Sequence, residues 1–171
     1  GAQMLAAMPL DSMTASPSGT EIITPFTMSY NGAGITVSNA IWSEMKNNIP
    51  LEDGKPQHPI SASTLKPIVD QYKQQNKPFN LGMTFPTGTH NYMLRYWLAA
   101  GGINPGMYAP NKNDLSGNIG ADVTLSVVPP PEMMAKMVTG TTLGYSVGEP
   151  WNQKAVKKGF GVPVMTSDVL W

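Results

Sequence analysis

Three apolar segments in the second half of the chain each run into a short turn and then into helix-forming residues. The turns lie at residues 86–90, 128–132 and 147–151. Connections of this kind between parallel strands of one sheet are almost always right-handed, so the three turns are expected at one edge of one sheet. The sequence therefore predicts an α/β domain with a doubly wound sheet.

Glycine and proline divide the rest of the chain into short elements, because 17 Gly and 16 Pro occur among 171 residues. Asn39 and Ser63 have the short polar side chains that favour the first position of a helix, and they are the predicted N-caps. Residues 49–60 and 108–120 are predicted loops. The predicted strands are 26–30, 34–38, 79–85, 123–128, 141–147 and 162–165, and the predicted helices are 40–47, 63–76, 90–100, 132–138 and 151–158.

The charge balance and the absence of cysteine narrow the range of functions. Eleven basic and eleven acidic residues give a formal net charge of zero, which argues against nucleic acid and acidic lipid as partners. With no Cys, disulfides, thiolate metal sites and cysteine nucleophiles are excluded. The chain also contains neither H-E-x-x-H nor G-x-x-x-x-G-K-[ST], so no metal and no cofactor is predicted.

The predicted sheet edge is the natural place for a ligand. Open α/β sheets bind ligands at the carboxyl ends of their strands, and helix N-termini there present N–H groups suited to an anion. His90 lies in the first turn of such a helix, where it either donates to a small acceptor or bonds only to backbone. His58 lies in a loop next to Pro59 and is predicted to be solvated.

Residues 144–148 read G-Y-S-V-G and match the G-x-S-x-G pattern of a nucleophile elbow, which would indicate a serine hydrolase. In that fold the histidine base follows the serine in the chain. Both His58 and His90 precede Ser146, so the triad cannot form in the expected order. We therefore predict that Ser146 is a strand residue and that the protein is not an enzyme.

Three longer motifs carry a resemblance to a known family. They are FPTGTHNYMLRYWLAAGG at 85–102, VVPPP at 127–131 and VGEPWN at 147–152, with supporting pieces GAQMLAAMP at 1–9 and NGAGITVSN at 31–39. Taken in this order and spacing, they resemble the nitrate/nitrite and bicarbonate solute-binding proteins of ATP-driven importers.

This resemblance implies a periplasmic-binding-protein fold whose two lobes close on a small inorganic anion, with nitrate or nitrite as the leading ligand. It implies ABC permease subunits as partners, a periplasmic or extracytoplasmic location, and membrane association only through the permease or an anchor. Bicarbonate or cyanate binding, or a cytoplasmic nitrate sensor of the same fold, is the alternative. The ligand-binding residues implied by the resemblance are His90, Thr89, Pro129, Val147 and Gly148.

The resemblance also implies a division of the chain. Residues 1–33 are expected to be a first-lobe piece and the approach to the hinge, 34–147 the second α/β lobe, and 148–171 a hinge and a return to the first lobe. Ala33 stands where the family pattern has a glutamine, and the position that separates nitrate from bicarbonate binders is expected beyond Trp171. Because the chain is expected to supply donors from one side of the cleft only, the isolated chain should bind either anion only at millimolar strength or weaker.

Overall fold

The computed structural model describes residues 32–86, 88–106 and 117–170. Short 3-10 segments at Lys46–Asn48 and Ala62–Thr64 accompany the regular elements. The strands are β1 (Ala33–Ser38), β2 (Leu51–Glu52), β3 (Lys55–Pro56), β4 (Asn80–Met83), β5 (Thr124–Val127), β6 (Gly144–Gly148) and β7 (Gly161–Thr166). The helices are α1 (Asn39–Met45), α2 (Lys66–Gln74), α3 (Thr89–Ala100), α4 (Pro130–Val138), α5 (Trp151–Lys157) and α6 (Ser167–Leu170).

Five of the strands form one sheet in the order β5-β4-β6-β1-β7. β4 pairs in parallel with β5 and β6, as the three strand-to-helix turns predict. β1 pairs antiparallel with both β6 and β7, so β7 runs in the same direction as β6. The α/β prediction is confirmed, and the antiparallel β1 makes the sheet mixed rather than wholly parallel.

Helices cover both faces of this sheet. Helices α1 and α3 pack on one face, over apolar residues that include Ile35, Leu81 and Trp97. Helices α4 and α5 pack on the other face, over a smaller cluster that includes Tyr145 and Met133. Because successive strand residues point to opposite faces, the residues of β6 divide between these two layers.

Two of the predicted helix starts are wrong in detail. The Ser38 hydroxyl accepts a hydrogen bond from the Ile41 N–H and caps α1, whereas the Asn39 amide donates to the Gly159 carbonyl. The Ser61 hydroxyl, not that of Ser63, caps the 3-10 turn that precedes α2. Several short polar residues stand together at both places, so composition alone does not select the one with cap geometry.

The segment 49–60, predicted to be a loop, contains the hairpin formed by β2 and β3. Its turn is made by Asp53 and Gly54, which have φ values of 51° and 74°. Asp-Gly at the two central positions is the usual composition of a type I′ turn, in which both residues need positive φ. The prolines of the segment had outweighed this turn signal in the sequence prediction.

The predictions for residues 1–31 lie outside the described residues, as does most of the predicted loop at 108–120. Strand β7 completes the same sheet as β1, pairing Gly34 with Thr166 and Ser38 with Gly161. The division of the chain at residues 33 and 147 stays a prediction. No helix in the described ranges is long and apolar enough to cross a membrane.

Candidate functional site

The three strand-to-helix turns meet at one edge of the sheet, as the sequence predicts. β4, β5 and β6 end there and lead into α3, α4 and α5. Since β1 is antiparallel, it begins at the same edge, with Ala33 opposite Gly148. Thr166 at the end of β7 pairs with Gly34 and brings the start of α6 there too. The edge therefore gathers residues that are far apart in the sequence.

His90 is the second residue of α3 and lies beside the end of β6. A Cβ atom built on Gly148 would lie 3.5 Å from His90 Nε2 and 3.7 Å from the Gly32 carbonyl oxygen. Because glycine has no Cβ, room for about one methyl group remains in front of the imidazole. The other ring nitrogen, Nδ1, is 3.1 Å from Thr84 Oγ1. Burial lowers the pKa of His90, which favours a neutral ring at neutral pH.

The start of α3 leaves backbone donors unused. Its N-cap is Gly88, which has no side chain to accept from the first turn. The N–H groups of Asn91 and Tyr92 both donate to the Gly88 carbonyl. Within the described residues, the N–H groups of Thr89 and His90 have no hydrogen-bond partner. Two free N–H groups and the positive end of a twelve-residue helix favour an anion at this place.

The turn before α3 is fixed by a buried pair on that helix. Asn91 is fully buried, its amide donates to the Pro86 carbonyl at 2.7 Å, and its carbonyl oxygen accepts from Arg95 Nε at 3.0 Å. Arg95 in turn donates to the carbonyl groups of Pro105, Gly106 and Gly117. These contacts join the turn to a second loop and hold it in one position.

Ser167, at the start of α6, is a residue of this edge that the sequence analysis missed. Its hydroxyl accepts a hydrogen bond from the Ala33 N–H at 3.1 Å. Gly32 has a φ of 59°, and a Cβ atom there would collide with the Ser167 hydroxyl. No local motif marks Ser167, because only the pairing of β7 with β1 brings it to the edge.

The structure separates the five predicted site residues. His90 and Gly148 lie together, and Thr89 is exposed at the first position of α3. Pro129 is exposed at the N-cap of α4. The Val147 side chain is 1% exposed and packs in the cluster under α4 and α5, on the face of the sheet away from α3. Ligand contacts by these residues remain predictions.

Ser146 is confirmed as a strand residue. It lies in the middle of β6 opposite Ile35 and is fully buried. Its hydroxyl has no hydrogen-bond partner within the described part of the chain. A buried hydroxyl with no hydrogen-bonded base among the described residues is not arranged as a nucleophile.

The opposite edge of the sheet has an open cavity of about 410 Å³. It lies at the amino ends of the parallel strands, far from the turns that lead into the helices. Its walls include Tyr72, Lys77, Asn80, Thr124 and Leu143. The Asn80 side-chain NH₂ group donates a hydrogen bond to the Thr141 carbonyl, and its side-chain oxygen accepts one from the Ser126 hydroxyl. Asn80 is therefore occupied by structural contacts.

Comparison with known proteins agrees with this architecture. The whole chain, residues 1–171, matches the model of the NMT1-like family. The nitrate/nitrite binding protein NrtA of Synechococcus elongatus is 37% identical over 144 residues, which cover 84% of this chain and 27% of that protein. The bicarbonate transport ATP-binding protein CmpC of the same organism is 33% identical over 172 residues, covering 99% of this chain and 22% of that protein.

A solved structure is similar in fold. The crystal structure of the periplasmic nitrate-binding protein NrtA from Synechocystis PCC 6803 matches with a TM-score of 0.56 and 30% identity, over 80% of this chain and 28% of that one. The chain thus spans roughly a quarter of the length of the relatives it matches. With its mixed α/β sheet and its match to the family model, the chain belongs to the NMT1-like family, with the α/β architecture of periplasmic binding proteins.

Proposed function

We propose that this chain is part of a non-catalytic solute-binding component of an ABC importer and that it contacts nitrate or nitrite at the edge formed by α3 and β6. The observation that carries the proposal is the position of His90 Nε2 next to Gly148, at the edge of the sheet where the N–H groups of Thr89 and His90 have no partner among the described residues. We take these three groups as the hydrogen-bond donors for the anion.

The chemistry of these donors suits a small planar oxyanion. A neutral imidazole and two backbone N–H groups bind by hydrogen bonds and the helix dipole rather than by a full opposite charge. Such a site favours a weakly hydrated monovalent anion, whose water is replaced at low cost by preorganised donors. A relative named as a nitrate/nitrite binding protein supports the same ligand class.

The names of similar proteins support the proposed partners and location. One is named as a nitrate import ATP-binding protein, and a solved relative is described as periplasmic. We infer that the protein containing this chain works outside the cytoplasm with an ABC permease and its ATPase. Its contact with the membrane is then made through the permease or an anchor.

Bicarbonate is the second candidate ligand. A bicarbonate transport protein matches 99% of this chain at 33% identity, so the same fold occurs in a protein with that ligand in its name. Bicarbonate is also a small planar monovalent oxyanion and fits the same donors. Titration with both anions is therefore needed to decide between nitrate and bicarbonate.

The proposal is tested by titrating the ¹⁵N-labelled chain with nitrate, nitrite and bicarbonate, using chloride at equal ionic strength as the control. NMR is suitable because it detects the millimolar binding that we expect. The resonances of the Thr89 and His90 amides and of the His90 ring should move in a saturable way, while those of the His58 ring should not. If nitrate, nitrite and bicarbonate shift these signals no more than chloride does, the proposed function is wrong.

A further inference from the structure

Thr84 stands at the end of β4, next to the ring of His90. Its hydroxyl oxygen is 3.1 Å from His90 Nδ1, the ring nitrogen that points away from Gly148. A Cβ atom built on Gly88 would lie 3.2 Å from the same hydroxyl oxygen. Glycine at position 88 therefore leaves room for the Thr84 hydroxyl, which lies between Gly88 and the imidazole.

The direction of this hydrogen bond decides what His90 offers to a ligand. A neutral imidazole has one N–H donor and one acceptor nitrogen, and a threonine hydroxyl has one proton to donate. If Nδ1 carried the ring proton, Thr84 would accept, and its own proton would have no acceptor within the described residues. If Thr84 donates instead, Nδ1 is satisfied as an acceptor and the ring proton is on Nε2.

The surroundings of Nε2 favour the second arrangement. Nε2 faces the open space at Gly148 and has no hydrogen-bond partner among the described residues. The free N–H groups of Thr89 and His90 attract a hydrogen-bond acceptor to the same edge. An Nε2–H group adds a third donor for that acceptor, whereas a lone pair on Nε2 would repel it.

We infer that Thr84 is a positioning residue that, by donating its hydroxyl proton to His90 Nδ1, holds the neutral imidazole as the Nε2–H tautomer. The hydrogen bond also fixes the plane of the ring, because it adds a second attachment point to the side chain. The part of this inference that concerns the anion rests on the proposed function, whereas the tautomer is a property of the chain without ligand.

The first experiment measures the tautomer directly. Long-range ¹H–¹⁵N correlation spectra of the anion-free chain at pH 7.5 distinguish a protonated from an unprotonated ring nitrogen, and only His58 and His90 contribute signals. His90 is expected to show a protonated Nε2 and a hydrogen-bonded, unprotonated Nδ1. A neutral His90 with its proton on Nδ1 would overturn the inference, whatever the chain binds.

The second experiment removes the hydroxyl. Thr84→Val keeps the shape of the side chain, and the Nδ1 resonance should move toward the value of an unbonded acceptor nitrogen. The affinity for nitrate should fall about three- to tenfold, the usual effect of one neutral hydrogen bond. Thr84→Ser restores the hydroxyl and should restore both values. Thr124→Val, in the edge strand β5, is the matched control and should change neither.

The outcomes separate this inference from the proposed function. If Thr84→Val leaves the Nδ1 resonance unchanged, Thr84 does not donate to His90 and the inference fails. If Thr84→Val folds poorly, the spectrum of the parent chain decides, since a protonated Nε2 and a hydrogen-bonded, unprotonated Nδ1 are expected there without any substitution. If no anion binds the parent chain while His90 is the Nε2–H tautomer, the proposed function fails and the role of Thr84 stands.

Discussion

Helices α3 and α5 begin at the same edge of the sheet, after neighbouring parallel strands, yet their first turns differ in what they offer to an anion. A carboxylate from outside the helix already bonds to the first turn of α5, because Glu149, just before the N-cap, accepts a hydrogen bond from the Gln153 N–H at 3.2 Å. The first turn of α3 has no side-chain acceptor and leaves the N–H groups of Thr89 and His90 free. The sheet topology places the N-termini of several helices at one edge. The residues beside each N-terminus determine which of them can bind an anion.

Helix α4 shows a third solution at the same edge. Its first two residues, Pro130 and Pro131, have no N–H to donate, and Glu132 adds a negative charge to the first turn. The start of α4 therefore offers neither donors nor a favourable potential to an anion. Of the three helix ends that follow β4, β5 and β6, only that of α3 is arranged to receive one.

The largest effect on anion binding is expected from removing the side-chain donor of α3. His90→Ala should weaken nitrate binding by about 1.5–3 kcal/mol, the range for a lost hydrogen bond to a charged group. His58→Ala, in an exposed loop, is the control and should have no effect. The measurement is the same NMR titration, and an unchanged affinity would remove His90 from the site.

Gly148→Ala, which adds a methyl group next to His90, is expected to have a smaller effect on affinity. Gly148→Ala places a methyl group 3.5 Å from Nε2, an ordinary contact distance, so the fold should tolerate it. The methyl group would extend from β6 toward Nε2 and narrow the access of an anion to the imidazole, which should weaken binding about tenfold, equivalent to about 1.4 kcal/mol. Equal affinity in a variant with the parent's thermal midpoint would show that the anion does not approach this part of β6.

Acid should destabilise the α3 region through His90. Its pKa in the folded chain is below the ordinary value because of burial, so the unfolded chain takes up the proton first as the pH falls. The free energy of unfolding should therefore decrease as the pH falls below about 6.5, the ordinary pKa of histidine. At pH values well above this, protonation of His90 should make no contribution to the pH dependence of stability.

The check is urea unfolding of the parent and His90→Asn between pH 5 and pH 7.5. The difference in stability between the two should change across the acid range. A His90→Asn variant with the parent's full acid dependence would contradict the burial of a neutral ring.

The sequence predicted the strand-to-helix units well because each is a local signal of an apolar run, a Pro or Gly turn and a helix start. It did not predict the direction of β1, which depends on long-range pairing with β6 and β7. Thr84 and Ser167 were missed for the same reason, since neither belongs to a motif and each acts on a residue brought close by the fold. Only the resemblance to the solute-binding proteins placed His90 and Gly148 in the same site.

Val147 shows the limit of placing site residues by position in a motif. It stands next to Gly148 at the end of β6, but neighbouring strand residues point to opposite faces of a sheet. Its side chain lies in the cluster with Met133 and Tyr145, while the Gly148 position faces His90. The pairing register of β6 with β1 determines whether Val147 or Gly148 points toward α3, and the sequence alone does not predict that register.

The carboxylate beside the start of α5 can be removed without changing α3. Glu149→Gln removes the carboxylate at the start of that helix, which has only seven residues. The side-chain amide oxygen of the new glutamine can still accept the hydrogen bond from the Gln153 N–H. We expect no new anion site and a loss of stability of only about 0.3 kcal/mol, because an exposed charge near a helix end contributes little.

A second readout of the same variant comes from Tyr145. Burial, and after it the negative charge of Glu149, raises the pKa of Tyr145 to about 12. Removing the charge while keeping the burial should lower this pKa, as followed by ultraviolet absorbance against pH, without returning it to the ordinary value near 10. An unchanged Tyr145 titration would show that Glu149 acts only on the first turn of α5. Nitrate-dependent shifts at Gln153 in this variant would show instead that a carboxylate was all that distinguished α5 from α3.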